Sequence, residues 1–312
     1  MISPVDTPAT SDGSAHPPTE NPLRKKALSA INNLPPFSPI LNKLMATLAS
    51  DPSFATLGDL IEKDTVVAGN VLNIVNSAMY ARRKEITSVR HALSILGTEK
   101  IRNLVIGMSI SNMMKQAKPH STLSMKRFNT HSARVAILSD LLVQHIPCHY
   151  PEGAFVAGLL HDVGKLLLAL GLPVEFKRLL EEFQNSNDPW ITCEQNRLGF
   201  THAELSHDIL LRWQVPEPIR TAALEHHVDW SGQPLPTQEH PAPLARILDA
   251  ANQYINATGG EILNLEKLGR SPEEFSRTNP PRIALLGLTD ADLDRILATY
   301  EEENEAMAAF FV

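Results

Sequence analysis

Cysteine is scarce in this chain. Cys148 and Cys193 are its only two, and they lack the CxxC spacing of a thiolate metal cluster. Two isolated thiols fit a reducing cytosol. Aromatic residues make up only 5%, so the core must be built from Leu, Ala, Ile and Val, as in aliphatic helical proteins. A basic excess is absent as well. The net charge of -7 argues against generic nucleic-acid binding through a basic face. No secretory apolar region and no uninterrupted apolar twenty-mer occurs, so a soluble cytoplasmic protein is expected, without a membrane span. Period-2 alternation of β-branched residues is nearly missing, which argues against a β architecture.

What is present is helical. The chain has 312 residues, 43% of them hydrophobic, enough to bury a sizeable core, here expected as two lobes. Residues 1–26 are read as a disordered tail, because the Pro, Ser and Thr of its first 22 residues cannot bury enough apolar area to offset chain entropy. The cluster Arg24-Lys25-Lys26 is read as a solvated helix start. From Ala27 the apolar spacing becomes helical. Thr56 is expected to cap a helix through Leu57, Leu60 and Ile61, Asp64 one through Val67, Val71 and Val75, and Ser88 one through Val89, Ala92 and Leu93 that Gly97 ends. This first lobe is expected to run to about residue 123. A second lobe begins near Ser124. Within it, Thr201 and Glu204 have capping-box spacing and Phe200 and Leu205 have staple spacing, which places His202 in a first helical turn. A helical extension, 231–312, completes the lobe. Its acidic terminal helix, Leu293 to Met307, is read as presenting Glu301, Glu302, Glu303 and Glu305 to solvent.

One stretch breaks this pattern. From Ala154 to Leu170 the chain is apolar except for His161, Asp162 and Lys165. A bilayer is a poor home for it, since each Asp or Lys at the membrane centre costs about 2.5–3.5 kcal/mol. A buried helix whose adjacent His161 and Asp162 share a divalent ion is cheaper, because an unpaired buried charge must find a partner or neutralise. The remaining ligands can come from other helices: His131, His202, His226 and Asp249 each sit beside apolar residues. Imidazole and carboxylate donors suit Fe, Mn, Zn or Co, as one ion or two, and Asp162 is placed to bridge a pair about 3.5–4 Å apart. Lys165, one turn beyond His161, could neutralise a phosphate oxygen. Blander roles stand beside these. Asp249 could pair with Arg246, His227 could be a neighbour of His226 whose role is exchangeable with it, and His207-Asp208 reads as a surface pair. His91, His120, His145 and His149 read as structural or solvent-facing.

Residues 158–166, preceded by His131 in His131-Ser132-Ala133-Arg134-Val135-Ala136 and closed by Asp249, resemble the signature of the HD superfamily of metal-dependent phosphohydrolases. His202 and His226-His227 are similar to the extra histidines of its binuclear members, such as the HD-GYP phosphodiesterases. The Gly-Tyr-Pro element of that subfamily is missing after His227, where the chain reads Val228-Asp229-Trp230. Leu34-Pro35-Pro36-Phe37, Asn76-Ser77-Ala78-Met79-Tyr80, Ile86 to Gly97, and Trp213 with Pro216 are similar to successive segments of the HDOD (HD-related output) domain, over about residues 30–230. For Asn76-Ser77 the reading preferred is helix termination and buried hydrogen bonding. The resemblance implies an all-α, two-lobed HDOD/HD-domain-like bundle in bacterial signalling, a regulatory module that engages a signalling protein or a nucleotide or phosphoester ligand. The second reading is a metal-dependent phosphohydrolase in which Asp162 and Lys165 are catalytic. The expected metal ligands are His131, His161, Asp162, His202, His226 and Asp249.

Overall fold

The helix starts follow from their caps. In the computed structural model, which describes residues 21–34, 39–47, 53–77, 85–119, 123–260, 262–263 and 282–311, the first helix is α1 (Pro22–Ser29). The Asn21 side chain accepts from the N–H groups of Leu23 and Arg24, and Pro22 occupies a position whose N–H would go unused. Residues 22–26, read from sequence as part of the tail, are therefore helical. Residues 1–20 lie outside the described residues. So do Pro35 to Phe37, Ala78 to Tyr80, and His120.

The first lobe contains α2 (Pro39–Thr47), α3 (Phe54–Glu62), α4 (Thr65–Val75) and α5 (Val89–Leu96), all packed on α6 (Thr98–Lys115). Asp64 and Ser88 cap α4 and α5 as their sequence positions predict. Thr56 does not cap α3. Ser53 does, accepting from the Thr56 N–H, so Thr56 lies one turn into the helix. Asn76 ends α4 and ties it to the next segment. Its amide donates to the Ile86 carbonyl at 2.8 Å and its oxygen accepts the Ile86 N–H at 2.7 Å. That is the structural role preferred for it.

The second lobe is built from α7 (Met125–Leu142), α8 (Ala154–Leu160), α9 (Val163–Gly171), α10 (Pro173–Asn185), α11 (Trp190–Leu198), α12 (His202–Arg212) and α13 (Glu217–Glu225). It also includes α14 (Leu244–Ala257) and α15 (Asp290–Phe311). α7 packs on α8, α12 lies against α9 and α13, and α14 closes over α7, α8 and α13. Two placements differ from the lobe boundaries read in sequence. α1 sits on α9 and α12, in the second lobe. α6 is buried on most sides and packs on α8 as well as on the first-lobe helices, so one continuous apolar core joins both lobes. A buried ion pair between Lys100 of α6 and Asp140 of α7 crosses the same junction. In α15, Glu301 and Glu302 are exposed but Glu303 is fully buried, because the helix lies on α7 and turns that residue inward.

The fold is all-α. Among the described residues the one β feature is an isolated bridge between Cys148 and Ala242. The segment Pro151–Gly171 is long and apolar enough to cross a membrane, yet 89% of its apolar window is buried inside the protein. It is core, and it positions the site.

Candidate metal centre

His161 and Asp162 do not sit within one helix, as the sequence reading had it. They form the turn between α8 and α9. The helical ladder reaches His161, whose N–H donates to the Ala157 carbonyl at 2.9 Å, and is then interrupted at Asp162, with φ -100° and ψ 12°. The break lets two consecutive side chains face one point, which adjacent residues on a continuous helix cannot do. Two glycines permit the approach of the neighbouring helices. A Cβ on Gly158 would run into the backbone of Ala136 on α7, and one on Gly164 into the carbonyl of His202 on α12. The Gly164 N–H also donates to Ser206 Oγ at 2.9 Å, fixing α9 to α12. His202 lies at the start of α12, where the capping box of Thr201 and Glu204 is formed in full.

Of the other five side chains expected as ligands, four converge on Asp162. On one side, His161 Nε2 is 3.2 Å and His131 Nε2 3.5 Å from Asp162 Oδ2, and the two nitrogens are 3.4 Å apart. On the other side, His202 Nε2 is 3.1 Å and His226 Nε2 3.7 Å from Asp162 Oδ1. All five residues are buried. Each imidazole is held from behind. Nδ1 of His131, His161 and His226 donates to the carbonyls of Gly260, Gly158 and Ala223, each at 2.8 Å. His202 Nδ1 donates to Glu194 Oε2 at 2.6 Å.

These back contacts assign the proton. With Nδ1–H used against an acceptor, a neutral ring turns its Nε2 lone pair toward the carboxylate. Burial, reinforced by His161, lowers the pKa of His131 to about 3. Burial also lowers that of His226 to about 3. These two rings are therefore neutral at pH 7. Burial alone would raise the pKa of Asp162, but His161 and Lys165 hold it well below its ordinary value. Burial, the largest influence, opposes charge on His202 too, yet Glu194 and Asp162 together outweigh it and the pKa is raised.

A lone pair facing an ionised carboxylate at hydrogen-bond range is repulsive unless a cation lies between them. The residues fit one. An ion about 2.0–2.1 Å from each donor in tetrahedral geometry separates the donors by about 3.3 Å. The His131, His161 and Asp162 atoms stand 3.2–3.5 Å apart. Among the described residues, Asp162 Oδ1 and His226 Nε2 are buried without a hydrogen-bond partner, as atoms reserved for an ion would be. The potential ligand atoms fall into two groups. One is His131, His161 and Asp162. The other is His202, His226 and His227, with Asp162 Oδ1 beside it.

Asp249 belongs to neither group. It is buried and pairs with Arg282, at 3.1 Å; Arg246, the alternative partner, donates to the carbonyls of Pro234 and Leu285. Burial raises the Asp249 pKa to about 6, against the pull of Arg282. Lys165 donates to Asp162 Oδ2 at 2.8 Å from a mostly buried position. His227 is half-buried, its Nε2 3.0 Å from that of His202, so it is a direct neighbour of the centre. His207-Asp208 is partly exposed, with Asp208 paired to Arg24, and His91, His145 and His149 are exposed. Glu194 escaped the sequence reading. Nothing in its spacing marks it, since it reaches His202 across a tight turn from another helix.

Comparisons with known proteins agree with this architecture. A family model described as HDOD domain matches residues 34–228. An uncharacterised protein of Treponema pallidum is 22% identical over 228 residues, covering 73% of this chain, and the chain spans 42% of that protein's length. The crystal structure of an HDOD domain protein with unknown function from Geobacter sulfurreducens superposes with a TM-score of 0.64 at 23% identity, over 94% of this chain and 98% of that one. A Shewanella amazonensis protein provisionally named a phosphohydrolase gives 0.62 at 19% identity, over 90% and 98%. At these identities the likeness concerns the fold.

Proposed function

The chain belongs to the HDOD domain family, and on that premise we propose that it is a signalling module whose second lobe holds a divalent metal. The observation that carries this is the set of four imidazoles turned by their back contacts to present Nε2 around one carboxylate. His131, His161 and Asp162 form one set of donors and His202, His226 and Asp162 the other, for one ion or two. The donor set suits Fe, Mn, Zn or Co. An ion there would supply fixed positive charge that locks α7, α9, α12 and the end of α13 together, and Lewis acidity if a phosphoester is the ligand. The first lobe offers a surface for a signalling partner, and a nucleotide or phosphoester is the small ligand that this centre would recognise. A cytoplasmic setting suits such a role.

Phosphohydrolysis is the second reading, favoured by Lys165. Its ammonium lies 2.8 Å from Asp162 Oδ2 at the edge of the buried cluster, where it can neutralise a phosphoryl oxygen while Asp162 orients the attacking water. The Shewanella amazonensis neighbour carries a name of this class. Against it stands the missing Gly-Tyr-Pro element after His227.

Metal analysis joined to a phosphodiester and phosphomonoester screen separates the two. The signalling reading expects near-stoichiometric metal and little turnover. It also expects a melting temperature that falls in His161→Ala and stays nearly constant in metal-loaded Lys165→Ala. Robust metal-dependent hydrolysis by the wild type, lost in both variants, would overturn it.

A further inference from the structure

His202 is held differently from the other three histidines. They rest on backbone carbonyls, whereas His202 rests on a carboxylate that is itself immobilised. Glu194 is wholly buried on α11. Its Oε2 accepts both His202 Nδ1–H at 2.6 Å and the His202 backbone N–H at 2.9 Å, and its Oε1 accepts Trp190 Nε1–H at 2.6 Å. Trp190 is in turn packed edge-on against Phe176 and Phe183, with ring centroids 5.8 and 5.3 Å away. The carboxylate has no freedom to turn, so neither has the imidazole. His202 Nε2 is left 3.1 Å from Asp162 Oδ1 and 3.0 Å from His227 Nε2. A carboxylate behind an imidazole fixes its tautomer and raises its basicity as a ligand, and loss of such a partner weakens metal binding by about 10–100-fold.

From this arrangement we propose that Glu194 is the positioning residue of the centre. It locks His202 as the Nδ1–H tautomer and makes the half containing His202, His226 and Asp162 Oδ1 hold a divalent cation more tightly than the half containing His131, His161 and Asp162 Oδ2. The proposal rests on the metal-centre reading above and adds an order of filling to it. A role confined to packing would instead have Glu194 merely join α11 to α12, with no effect on the metal.

The test uses the full chain stripped of metal. Mn²⁺ is titrated calorimetrically, and the ring nitrogens of His202 are followed by ¹⁵N NMR. The wild type should show a tight and a weak step and a single His202 tautomer. Glu194→Gln keeps the shape but loses the charge. It should weaken the tight step by about 10–100-fold, leave the weak step in place and mix the tautomers. Glu194→Asp should recover part of the lost affinity. Trp190→Phe, which removes the Oε1 donor and part of the packed ring but leaves Glu194 on His202, should lower the melting temperature while both steps persist. The proposal is overturned if Glu194→Gln lowers the melting temperature yet binds as the wild type does, or if it weakens both steps alike. A wild type that takes up no metal sinks the metal-centre reading and the filling order with it. In that case a His202 tautomer lost in Glu194→Gln would still support the orienting role, and an unchanged spectrum would end it. Should Glu194→Gln fail to fold, Glu194→Asp bears the test alone, and an unaltered tight step there counts against the proposal.

Discussion

Asp162 is the residue around which the histidine cluster is built. Its two oxygens face separate pairs of imidazoles, and the Lys165 ammonium lies against one of them. Asp162→Ala should abolish metal binding, measured by equilibrium dialysis, and should lower stability by about 1–3 kcal/mol through loss of a buried charge-assisted partner. The neighbouring histidines set the response to pH. His131 and His226 have pKa values lowered from 6.5 to about 3 in the fold, so the unfolded chain binds more protons than the native one below about pH 6.5. Stability from these rings is present in full above that pH and is lost as the pH falls toward 3. Urea midpoints of the metal-free protein should therefore decrease steadily from pH 7 to pH 4; a flat profile would contradict the buried neutral assignment. At this scale His131, His161, Asp162, His202 and His226 were legible in the sequence, because each interrupts an apolar helical pattern that a polar group would not enter without a partner. Glu194 was not. Its chemistry depends on the turn between α11 and α12, which brings residues eight apart in the chain into contact.

Among the elements, the α8–α9 break matters most. Periodicity alone made the segment one helix, since an apolar run carries no sign of where its ladder is interrupted. The Gly158 and Gly164 flanking the pair were the available signal. Their use lies in the close approach of α7 and α12, not in a turn. Gly164→Ala places a methyl group against the His202 carbonyl. Such overpacking is expected to cost about 1–3 kcal/mol, and because it pushes α12 away it should weaken metal binding as well. Denaturant unfolding paired with metal titration checks this; a Gly164→Ala protein with wild-type affinity would show that α12 tolerates displacement. The caps were read well where a side chain alone decides them, as at Asp64, Ser88 and Thr201. At α3 two hydroxyls competed, and Ser53 won by preceding the first turn. Asp249, expected as a ligand with Arg246 as the alternative partner, pairs with Arg282 instead. Arg246 is near in sequence, but Arg282 arrives from a segment whose path no local pattern reveals.

For the whole molecule, the two-lobed helical architecture was visible in the sequence while the way the lobes join was not. α6 serves both, α1 crosses to the second lobe, and the apolar core is continuous. The described body should accordingly unfold as a unit. Calorimetry is expected to give one cooperative transition that metal shifts upward, whereas two well-separated transitions, with only the later one metal-sensitive, would show independent lobes. The functional proposal at this scale is a helical body that keeps a metal centre around Asp162. The most direct test is elemental analysis of the purified full chain beside Asp162→Ala, with circular dichroism to show that both are folded. Near-stoichiometric Fe, Mn, Zn or Co in the wild type and none in the variant is the predicted result. A folded wild type that carries no metal, and gains no thermal stability when these ions are supplied in excess, would contradict it.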